Sequence, residues 1–289
     1  MDESVGRAAA SLSELRSARR LTRRKNRTAA ERFLAEGPQA VREALRTVGC
    51  VQYLLVSRSS VEKHRELTMT AATAGVAVRI TADDTLASVT DTSTPQGVVA
   101  ICRMVDRSLA DALGNHPALV VCCVRVRDPG NAGTVIRCAD AFGADAVVLS
   151  EGSVDAYNSK AVRSSAGSLF HVPLVLGAAL SEVVAAARTK GLQVLAADGG
   201  GLIDLDQLNA SGDLAGPCLW LFGNEAWGLP AADAELCDQR VRVPIYGAAE
   251  SLNLAAAAAV CLYATSTAQR RAASSFKSQT DSPAEPVRF

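Results

Sequence analysis

The second half of the chain alternates between short runs of consecutive apolar residues and longer stretches with helical spacing. The run 119–126 is interrupted only by Arg125, and the run 146–149 is uninterrupted. Strands that are apolar throughout are buried on both faces, which is typical of a parallel sheet covered by helices. The pattern therefore predicts an α/β domain. Further strands are predicted at 169–175, 192–197 and 217–222, and helices at 132–142, 157–164 and 180–189.

The first third of the chain shows a shorter alternation of the same kind. Strands are predicted at 51–56, 76–80 and 98–102, with helices at 60–74 and 81–87 between them. Gly75 ends the first of these helices, and the turn at 93–97 precedes the last strand. A unit of about ninety residues is long enough to form a small domain of its own.

These patterns divide the chain into two α/β domains, at 13–103 and 118–270. The stretch 104–117 between them is expected to be a linker or a connecting helix. The segments 1–12 and 271–289 are expected to be disordered, the second because it is rich in Ser and Pro.

The composition indicates a folded, cytosolic protein. Hydrophobic residues make up 48% of the 289 residues and aromatic residues only 4%, so the core must consist of Ala, Val and Leu. The eight cysteines form no CxxC motif, which favours buried free thiols over disulfides or a metal site. The N-terminus lacks the apolar stretch of a signal peptide, and no apolar run reaches membrane-spanning length. We therefore expect a cytoplasmic protein that has no membrane partner and no bound metal.

Positive charge is concentrated near the N-terminus, although the formal net charge is +0. The arginines there recur at three- and four-residue spacing, so a helix would place most of them on one face. Such a face is often simply solvated, but the scarcity of acidic partners here favours contact with RNA. The candidate RNA-binding residues are Arg19, Arg20, Arg23, Arg24, Lys25 and Arg27.

Polar side chains follow three of the apolar runs. The first loop is 128–133, and Arg137 lies about two turns into the following helix, within reach of an anion at the helix start. The second loop is 223–225, and the third is 251–253, directly before an alanine-rich helix. Ligands bind at the carboxyl ends of strands in open α/β sheets, so we expect these loops to form one pocket.

Each loop also has a simpler interpretation when it is taken alone. Asn131 and Ser251 are compatible with ordinary helix N-caps. Glu225 is compatible with an acidic residue that offsets a helix dipole. The joint occurrence of the three loops favours a functional site.

Three stretches carry a family resemblance: RDPGNAGTVIRCADAFGADAVVLS, LFGNEAWGLP and VPIYGAAESLNLA. In order and spacing they resemble the motifs of the SPOUT superfamily, in its TrmH-type (SpoU) branch of RNA ribose 2′-O-methyltransferases. Upstream, RRKNRTAAERFLAEGPQAVREAL and DTSTPQGVVAI resemble the L30-like substrate-binding domain of the same branch. The resemblance covers residues 15–268, and three ordered motifs make it specific.

The resemblance implies a C-terminal SPOUT domain with a parallel sheet and a deep trefoil knot, a rare exception to normal chain topology. A small N-terminal α/β domain of the L30-like type would precede it. S-adenosylmethionine would bind in the knot, held by backbone groups that match Gly223, Val243 and Leu252. The resemblance also implies a homodimer through the C-terminal domain, with the site near the dimer interface.

The implied reaction transfers a methyl group to a ribose 2′-hydroxyl, with 23S ribosomal RNA as the expected substrate. It requires in-line positioning of the 2′-oxygen and removal of its proton. Arg137 matches the catalytic arginine of the family, and Asn131, Glu225, Ser251 and Asn253 match its supporting polar residues. A guanidinium is almost never deprotonated, so we favour phosphate orientation and alkoxide stabilisation for Arg137 over a role as base.

The chain departs from the family pattern at a few positions. Ala226 stands where the family usually has Gly, bulky Trp227 follows it, and Ala255 replaces a small polar residue. These changes are expected to affect pocket shape more than chemistry.

Three alternatives remain open. One is a transfer RNA 2′-O-methyltransferase, although the two-domain layout resembles ribosomal RNA enzymes, including those of the thiostrepton-resistance type. Another is a non-catalytic RNA-binding or ribosome assembly factor, against which the presence of Arg137 and Asn253 argues. The last is a Rossmann-type nucleotide enzyme, which lacks support because the first βα turn has no Gly-rich fingerprint.

Overall fold

The computed structural model of the protein describes residues 7–280 and contains two β-sheets flanked by helices. The first sheet and its helices comprise β1 (Arg7–Ala9), α1 (Leu12–Arg20), α2 (Arg24–Ala30), β2 (Arg32–Glu36), α3 (Pro38–Arg46), β3 (Val51–Ser57), α4 (Arg65–Thr73), β4 (Ala77–Thr81), α5 (Asp83–Ala87) and β5 (Val98–Arg103). A connecting helix and the second sheet follow as α6 (Leu109–Leu113), β6 (Leu119–Cys123), α7 (Pro129–Phe142), β7 (Ala146–Ser150), α8 (Ser159–Ser164), β8 (Leu174–Ala178), α9 (Leu180–Thr189), β9 (Gln193–Ala197), β10 (Ile203–Asp204), α10 (Leu205–Ser211), β11 (Cys218–Phe222), α11 (Ala231–Ala234), β12 (Gln239–Arg242) and α12 (Leu254–Thr280).

The first sheet has the strand order β1-β4-β3-β5-β2. Strands β1, β4 and β3 run parallel, whereas β5 is antiparallel to both β3 and β2. The sequence pattern did not separate β2 from the helical stretches on either side of it. The separation occurs at Glu31, whose left-handed φ of 51° ends α2 and turns the chain directly into β2. A single backbone torsion of this kind leaves no trace in hydrophobic periodicity.

The second sheet has the order β10-β12-β9-β11-β6-β7-β8, and all its strand pairs are parallel. Every residue of β6, β7 and β11 is buried, which confirms the prediction of a parallel sheet that is covered on both faces. The strand predicted at 169–175 is wrong in its first half, where Ser168–Phe170 form a 3-10 helix. Strand β8 begins only after Pro173, which lacks the N–H needed for strand pairing.

The expectation of disordered ends is wrong for the parts that the structure describes. Residues Arg7–Ala9 form β1, which pairs with β4, and α1 begins at Leu12. At the other end, α12 continues through the Ser-rich stretch to Thr280. Residues 1–6 and 281–289 lie outside the described range.

The stretch between the two sheets is a packed connection. Helix α6 lies within it, and the side chains of Ala112 and Leu113 are buried against the second sheet. Of the two expectations for residues 104–117, the connecting helix is therefore the one that holds. Within residues 7–280, no helix is long and apolar enough to span a membrane.

Apolar side chains form a continuous core across the junction of the two sheets. Phe33 of β2 packs against Tyr157, with ring centroids 4.5 Å apart, and against Phe170 at 5.9 Å. The Tyr157 hydroxyl donates to the Asp106 carboxylate and accepts from the backbone N–H of Val105 and Asp106. One face of the N-terminal unit thus shares a core with the second sheet. Its other face has a separate apolar cluster, which includes Leu34, Leu55 and Ile101.

A buried ion pair also crosses this junction. The Arg27 guanidinium lies 2.6 Å from the Asp155 carboxylate, and their side chains are only 4% and 11% exposed. The same guanidinium donates to the backbone carbonyls of Leu21 and Thr22, 2.8 Å away in each case. All of this places Arg27 inside the protein, so its inclusion among the RNA-binding residues was wrong. The other basic residues of this segment remain exposed.

His171 connects the two sheets at a second place. Its Nδ1 lies 2.9 Å from Asp140, which belongs to α7, and its Nε2 lies 3.2 Å from Glu43 of α3. Burial lowers the pKa of His171, but the hydrogen bonds to the two carboxylates outweigh burial and leave the pKa above its ordinary value. A protonated imidazole can donate to both carboxylates, whereas a neutral one can donate to only one. His171 therefore forms a bridge between the sheets.

The substitution Arg27→Ala should strongly destabilise the fold. It leaves Asp155 buried without its cation, and losing one partner of a buried pair costs about 3–5 kcal/mol. Urea unfolding would measure this loss, with Arg24→Ala as the control. Arg24 is an exposed neighbour whose substitution should change the free energy of unfolding by less than about 0.5 kcal/mol. A loss below about 1 kcal/mol for Arg27→Ala would contradict the structural role.

The His171 bridge should make stability depend on pH. A raised pKa means that the contribution of the imidazole is fully present below its unfolded value of about 6.5 and is lost as pH rises through the folded pKa. We therefore expect the difference in unfolding free energy between wild type and His171→Ala to shrink as pH rises above about 6.5. Urea unfolding across that range would measure it. A difference that stays constant across this pH range would contradict the bridge.

Candidate active site

An open cavity of about 500 Å³ lies at the carboxyl ends of the central strands of the second sheet. Its lining includes Ala197, the last residue of β9, and Phe222, the last residue of β11. Such crevices are where open α/β sheets bind ligands. The predicted site residues that line it are Asn131, Gly223, Glu225, Val243, Ser251, Leu252 and Asn253.

The Glu225 carboxylate joins the three predicted loops. It accepts hydrogen bonds from the backbone N–H groups of Arg127 and Asp128 and from the Asn131 side-chain amide, all at 3.1 Å. The Asn253 side-chain amide in turn donates to the side-chain oxygen of Asn131, at 3.0 Å. Residues that are far apart in sequence therefore form one polar network on the cavity wall.

The environment of Glu225 keeps its carboxylate ionised. Partial burial raises the pKa of Glu225, but the hydrogen bond from the Arg127 backbone, supported by those from Asn131 and Asp128, leaves the pKa below its ordinary value. A carboxylate of this kind acts as an acceptor near neutral pH and carries no proton to donate. Glu225 is therefore suited to organising the site and unsuited to acid catalysis.

Asp128, not Asn131, is the N-cap of α7. Its carboxylate accepts from the backbone N–H of Asn131 at 2.8 Å and from the Lys160 ammonium at 2.7 Å. The hydrogen bond from Lys160 holds the pKa of Asp128 below its usual range, although burial opposes it. The earlier assignment of Asn131 as a cap was wrong. Because Asn131 lies inside the first turn, its side chain can reach Glu225 and Asn253.

Asn253 is the residue that caps α12. Its side-chain oxygen accepts from the backbone N–H groups of Ala255 at 2.9 Å and Ala256 at 3.3 Å. This leaves the amide group of the same side chain to bond Asn131. Ser251, for which a cap was the simpler interpretation, is an exposed residue on the cavity wall.

The loop after β11 is closed by hydrogen bonds at its two ends. Asn224 and Gly228 exchange backbone hydrogen bonds of 2.9 and 2.8 Å. The Asn224 side chain is 5% exposed and bonds the carbonyl of Arg125 and the N–H of Ala226. At Gly223 an added Cβ would collide with the Gly228 backbone. Glycine is therefore required here, and its bare backbone faces the cavity.

Arg137 is the predicted site residue that the structure does not bring to the cavity. It lies on the exposed side of α7, outside the cavity lining. It lies eight positions after the helix start at Pro129, which corresponds to roughly 12 Å along the axis. It therefore cannot reach an anion at the start of α7, as had been expected, and its guanidinium faces solvent in a single chain.

The cavity also contains residues to which the sequence analysis gave no role. Asp198 and Gly199 follow β9 and line the same cavity, and Asp198 pairs with Arg240 at 2.6 Å. Asn224 lines it as well, fixed by the bonds described above. The signal for Asp198 was its position directly after a strand. Its relevance depends on β9 being the neighbour of β11, which chain order does not reveal.

Thiol chemistry is not available at the cavity. Burial raises the pKa of Cys123 to about 12, and burial does the same for Cys218 and Cys261. These groups remain neutral thiols, which are poor nucleophiles. They serve as small apolar core residues, as the sequence pattern indicated.

Comparison with protein families agrees with this geometry. Residues 118–263 match the SpoU rRNA Methylase family, and residues 13–100 match the MRM3-like substrate binding domain. The chain is 37% identical over 246 residues to the 23S rRNA (guanosine(2553)-2′-O)-methyltransferase RlmP of Bacillus subtilis, covering 85% of this chain and 92% of that protein. It is 35% identical over 249 residues to the 23S rRNA (uridine(2479)-2′-O)-methyltransferase of Streptomyces viridochromogenes, covering 84% and 85%.

Solved structures of similar proteins share the fold. The SpoU methyltransferase AviRb from Streptomyces viridochromogenes, in complex with the cofactor AdoMet, aligns with a TM-score of 0.78 at 34% identity over 90% of this chain and 99% of that chain. The AdoMet-bound rRNA methyltransferase from Sinorhizobium meliloti aligns with a TM-score of 0.77 at 31% identity, over 92% and 97%. The predicted family is thereby confirmed: this chain belongs to the SpoU rRNA methylase family.

Proposed function

We propose that this protein is an S-adenosylmethionine-dependent methyltransferase that modifies a ribose 2′-hydroxyl in 23S ribosomal RNA. The observation that carries the proposal is the Glu225–Asn131–Asn253 network, which joins three motif loops on the wall of one cavity. Membership of the SpoU family and the named activities of its ribosomal RNA relatives support the substrate class.

The cavity suits a cofactor that is held largely by backbone groups. Gly223 presents bare backbone there, and Val243 and Leu252 line the same wall. A space of about 500 Å³ is within the range of small-molecule sites. We propose these three residues as the cofactor-binding set, supported by the AdoMet bound to two related structures. When bound, the cofactor supplies an electrophilic methyl group on a sulfonium.

The residues of this chain have to position the ribose 2′-oxygen in line with the methyl group. Glu225, with its ionised carboxylate, holds the start of α7 and the Asn131 amide in place. Asn131, Ser251 and Asn253 offer hydrogen-bonding groups at the cavity wall to the incoming ribose. In-line orientation by such fixed groups is a large part of the rate enhancement available to a transfer reaction.

Arg137 is assigned to the RNA phosphate. A contact with the developing alkoxide would require the proposed homodimer, because Arg137 does not reach the cavity of its own chain. Its guanidinium stays protonated and can form paired hydrogen bonds with phosphate oxygens. The exposed position on α7 supports this role, because an RNA backbone lies outside a cofactor cavity. The role also fits the proposed homodimer, in which α7 and α12 would border the interface. Exposed apolar residues on α12, Val260 and Tyr263, support that interface.

The N-terminal domain is proposed to hold the RNA. The remaining basic residues of α1, α2 and the turn between them are all exposed, and no ion pair neutralises them within residues 7–280. A patch of this kind attracts phosphates in a salt-dependent manner. The patch consists of Arg19, Arg20, Arg23, Arg24 and Lys25.

Two further parts of the proposal rest on family membership. We propose that the C-terminal segment forms the deep trefoil knot of the SPOUT fold, with α12 packed back against α7 through Tyr263 and Phe142. We also propose a cytoplasmic location, which suits an enzyme that acts on ribosomal RNA.

The proposed function is tested by methyl transfer from labelled S-adenosylmethionine to total RNA from cells that lack the gene. Label is expected in 23S ribosomal RNA, and mapping of 2′-O-methyl groups with and without the gene would locate the nucleotide. Label in transfer RNA alone would favour the transfer RNA enzyme. Absence of label from all RNA, with binding retained, would favour a non-catalytic factor.

The substitution Gly223→Ala should abolish cofactor binding. The added Cβ would collide with Gly228 and lie 2.7 Å from the backbone nitrogen of Leu229, so the loop could not keep its shape. Calorimetric titration with S-adenosylmethionine is expected to show no measurable binding. Gly216→Ala, where the added Cβ meets nothing closer than 3.6 Å, is the control and should bind normally. Normal affinity in Gly223→Ala would contradict the proposed role of Gly223 in binding the cofactor.

The substitution Arg137→Ala should remove methyl transfer while leaving the affinity for S-adenosylmethionine nearly unchanged. Its side chain is exposed and outside the cavity, so neither the fold nor the cofactor site depends on it. Single-turnover transfer and calorimetry would be measured on the same preparation. If transfer and cofactor affinity are lost together, the assignment of Arg137 to the RNA is wrong.

A further inference from the structure

Trp227 is a large aromatic side chain that is 54% exposed beside the cavity. The chain has two tryptophans, and the other, Trp220, is fully buried, bonded to Thr265 and stacked on Phe222. Aromatic side chains gain much of their stabilisation from burial. An exposed tryptophan next to a candidate active site therefore points to a ligand.

The backbone that carries Trp227 is held in place by several hydrogen bonds. The ring lies in the short loop closed by the backbone hydrogen bonds between Asn224 and Gly228. The buried Asn224 side chain holds the same loop from inside, through Arg125 and Ala226. A backbone that is held in this way loses less conformational entropy when the loop binds a partner. This is the behaviour expected of a preformed contact surface.

A cation accompanies the ring. The Arg127 guanidinium carbon lies 5.9 Å from the Trp227 ring centroid. The Arg127 backbone N–H donates to Glu225, two residues before the tryptophan. Aromatic faces combined with arginine are the features with which proteins hold unpaired bases of RNA. The same charge disfavours an apolar protein partner, because burying an unpaired guanidinium costs several kcal/mol.

We propose that Trp227 and Arg127 form a stacking platform for an unpaired nucleobase of the RNA substrate, at or next to the nucleotide that is methylated. The inference rests on the proposed function, because the reacting ribose must approach Glu225 and Asn131. A base attached to that ribose lies within a few ångströms of it and so comes close to the Glu225 loop. Stacking depends on the π-face that every base has, so the platform contributes affinity and orientation without selecting the base.

Two substitutions of the same side chain test the platform. Trp227→Leu keeps an apolar residue but removes the ring, and it should weaken RNA affinity about 5- to 150-fold, the loss expected for one stacked base. Trp227→Phe keeps a ring and should remain within about threefold of wild type. The KM for deproteinised ribosomal RNA should follow the same order, with S-adenosylmethionine affinity unchanged. Equal losses in both variants, or none in Trp227→Leu, would overturn the proposal.

Tryptophan fluorescence gives a second readout on the intact protein. Trp220 is buried, so a soluble quencher such as acrylamide should act almost entirely on Trp227. Short unstructured oligoribonucleotides of mixed sequence should quench the emission of wild type and shield the ring from acrylamide, and should do neither in Trp227→Phe. If the ring is already shielded in the RNA-free protein at concentrations where it dimerises, a second copy of the chain covers it and the platform is wrong.

The two proposals fail in different ways. If wild type transfers no methyl group to any RNA, the proposed function fails, whatever the fluorescence shows. If wild type methylates ribosomal RNA and Trp227→Leu does so with an unchanged KM, the proposed function is supported and the proposed platform is wrong. A matched thermal unfolding midpoint for the two variants shows that any loss arises from the surface and not from misfolding.

Discussion

The site depends on one ionised carboxylate. Glu225 accepts two main-chain N–H groups at the entrance to α7 and the side-chain amide of Asn131, which in turn binds Asn253. Three segments that are distant in sequence are held at one cavity. The Glu225 carboxylate of the second segment binds donors of the first, and Asn131 of the first segment binds Asn253 of the third. The same hydrogen bonds connect the walls of the cavity to each other.

The sequence predicted the architecture well wherever the signal was local and repeated. Uninterrupted apolar runs gave the parallel second sheet, and polar residues after those runs gave the loops of the site. The errors arose where one torsion or one contact between distant residues decides the outcome. Asn131 and Asp128 are both good capping residues, and only the backbone geometry selects Asp128. Asp198 lines the cavity because β9 adjoins β11, a neighbour relation that chain order does not contain.

Arg27 and Arg137 show that the sequence predicts the surroundings of a charged side chain poorly. Arg27 was assigned to RNA binding from the charge pattern, and Arg137 to catalysis from the family resemblance. Neither signal tells whether the side chain is buried. The Arg27 guanidinium binds one carboxylate and two backbone carbonyls inside the protein, whereas Arg137 lies on an exposed helix surface. Helical spacing alone cannot separate these cases, because it specifies a face without specifying what that face meets. The partner of Arg27, Asp155, is 128 positions away along the chain.

The junction between the sheets has a consequence for how a target would be chosen. Packed aromatic rings, the Arg27–Asp155 pair and the His171 bridge fix the first sheet against the second. The basic patch on α1 and α2 is therefore held at a constant separation and angle from the cavity. An RNA gripped by the patch would present for reaction only the nucleotide that its own folded shape places at that separation. Selection would then follow the three-dimensional form of the RNA, and a short unstructured fragment carrying the right nucleotide would be a poor substrate.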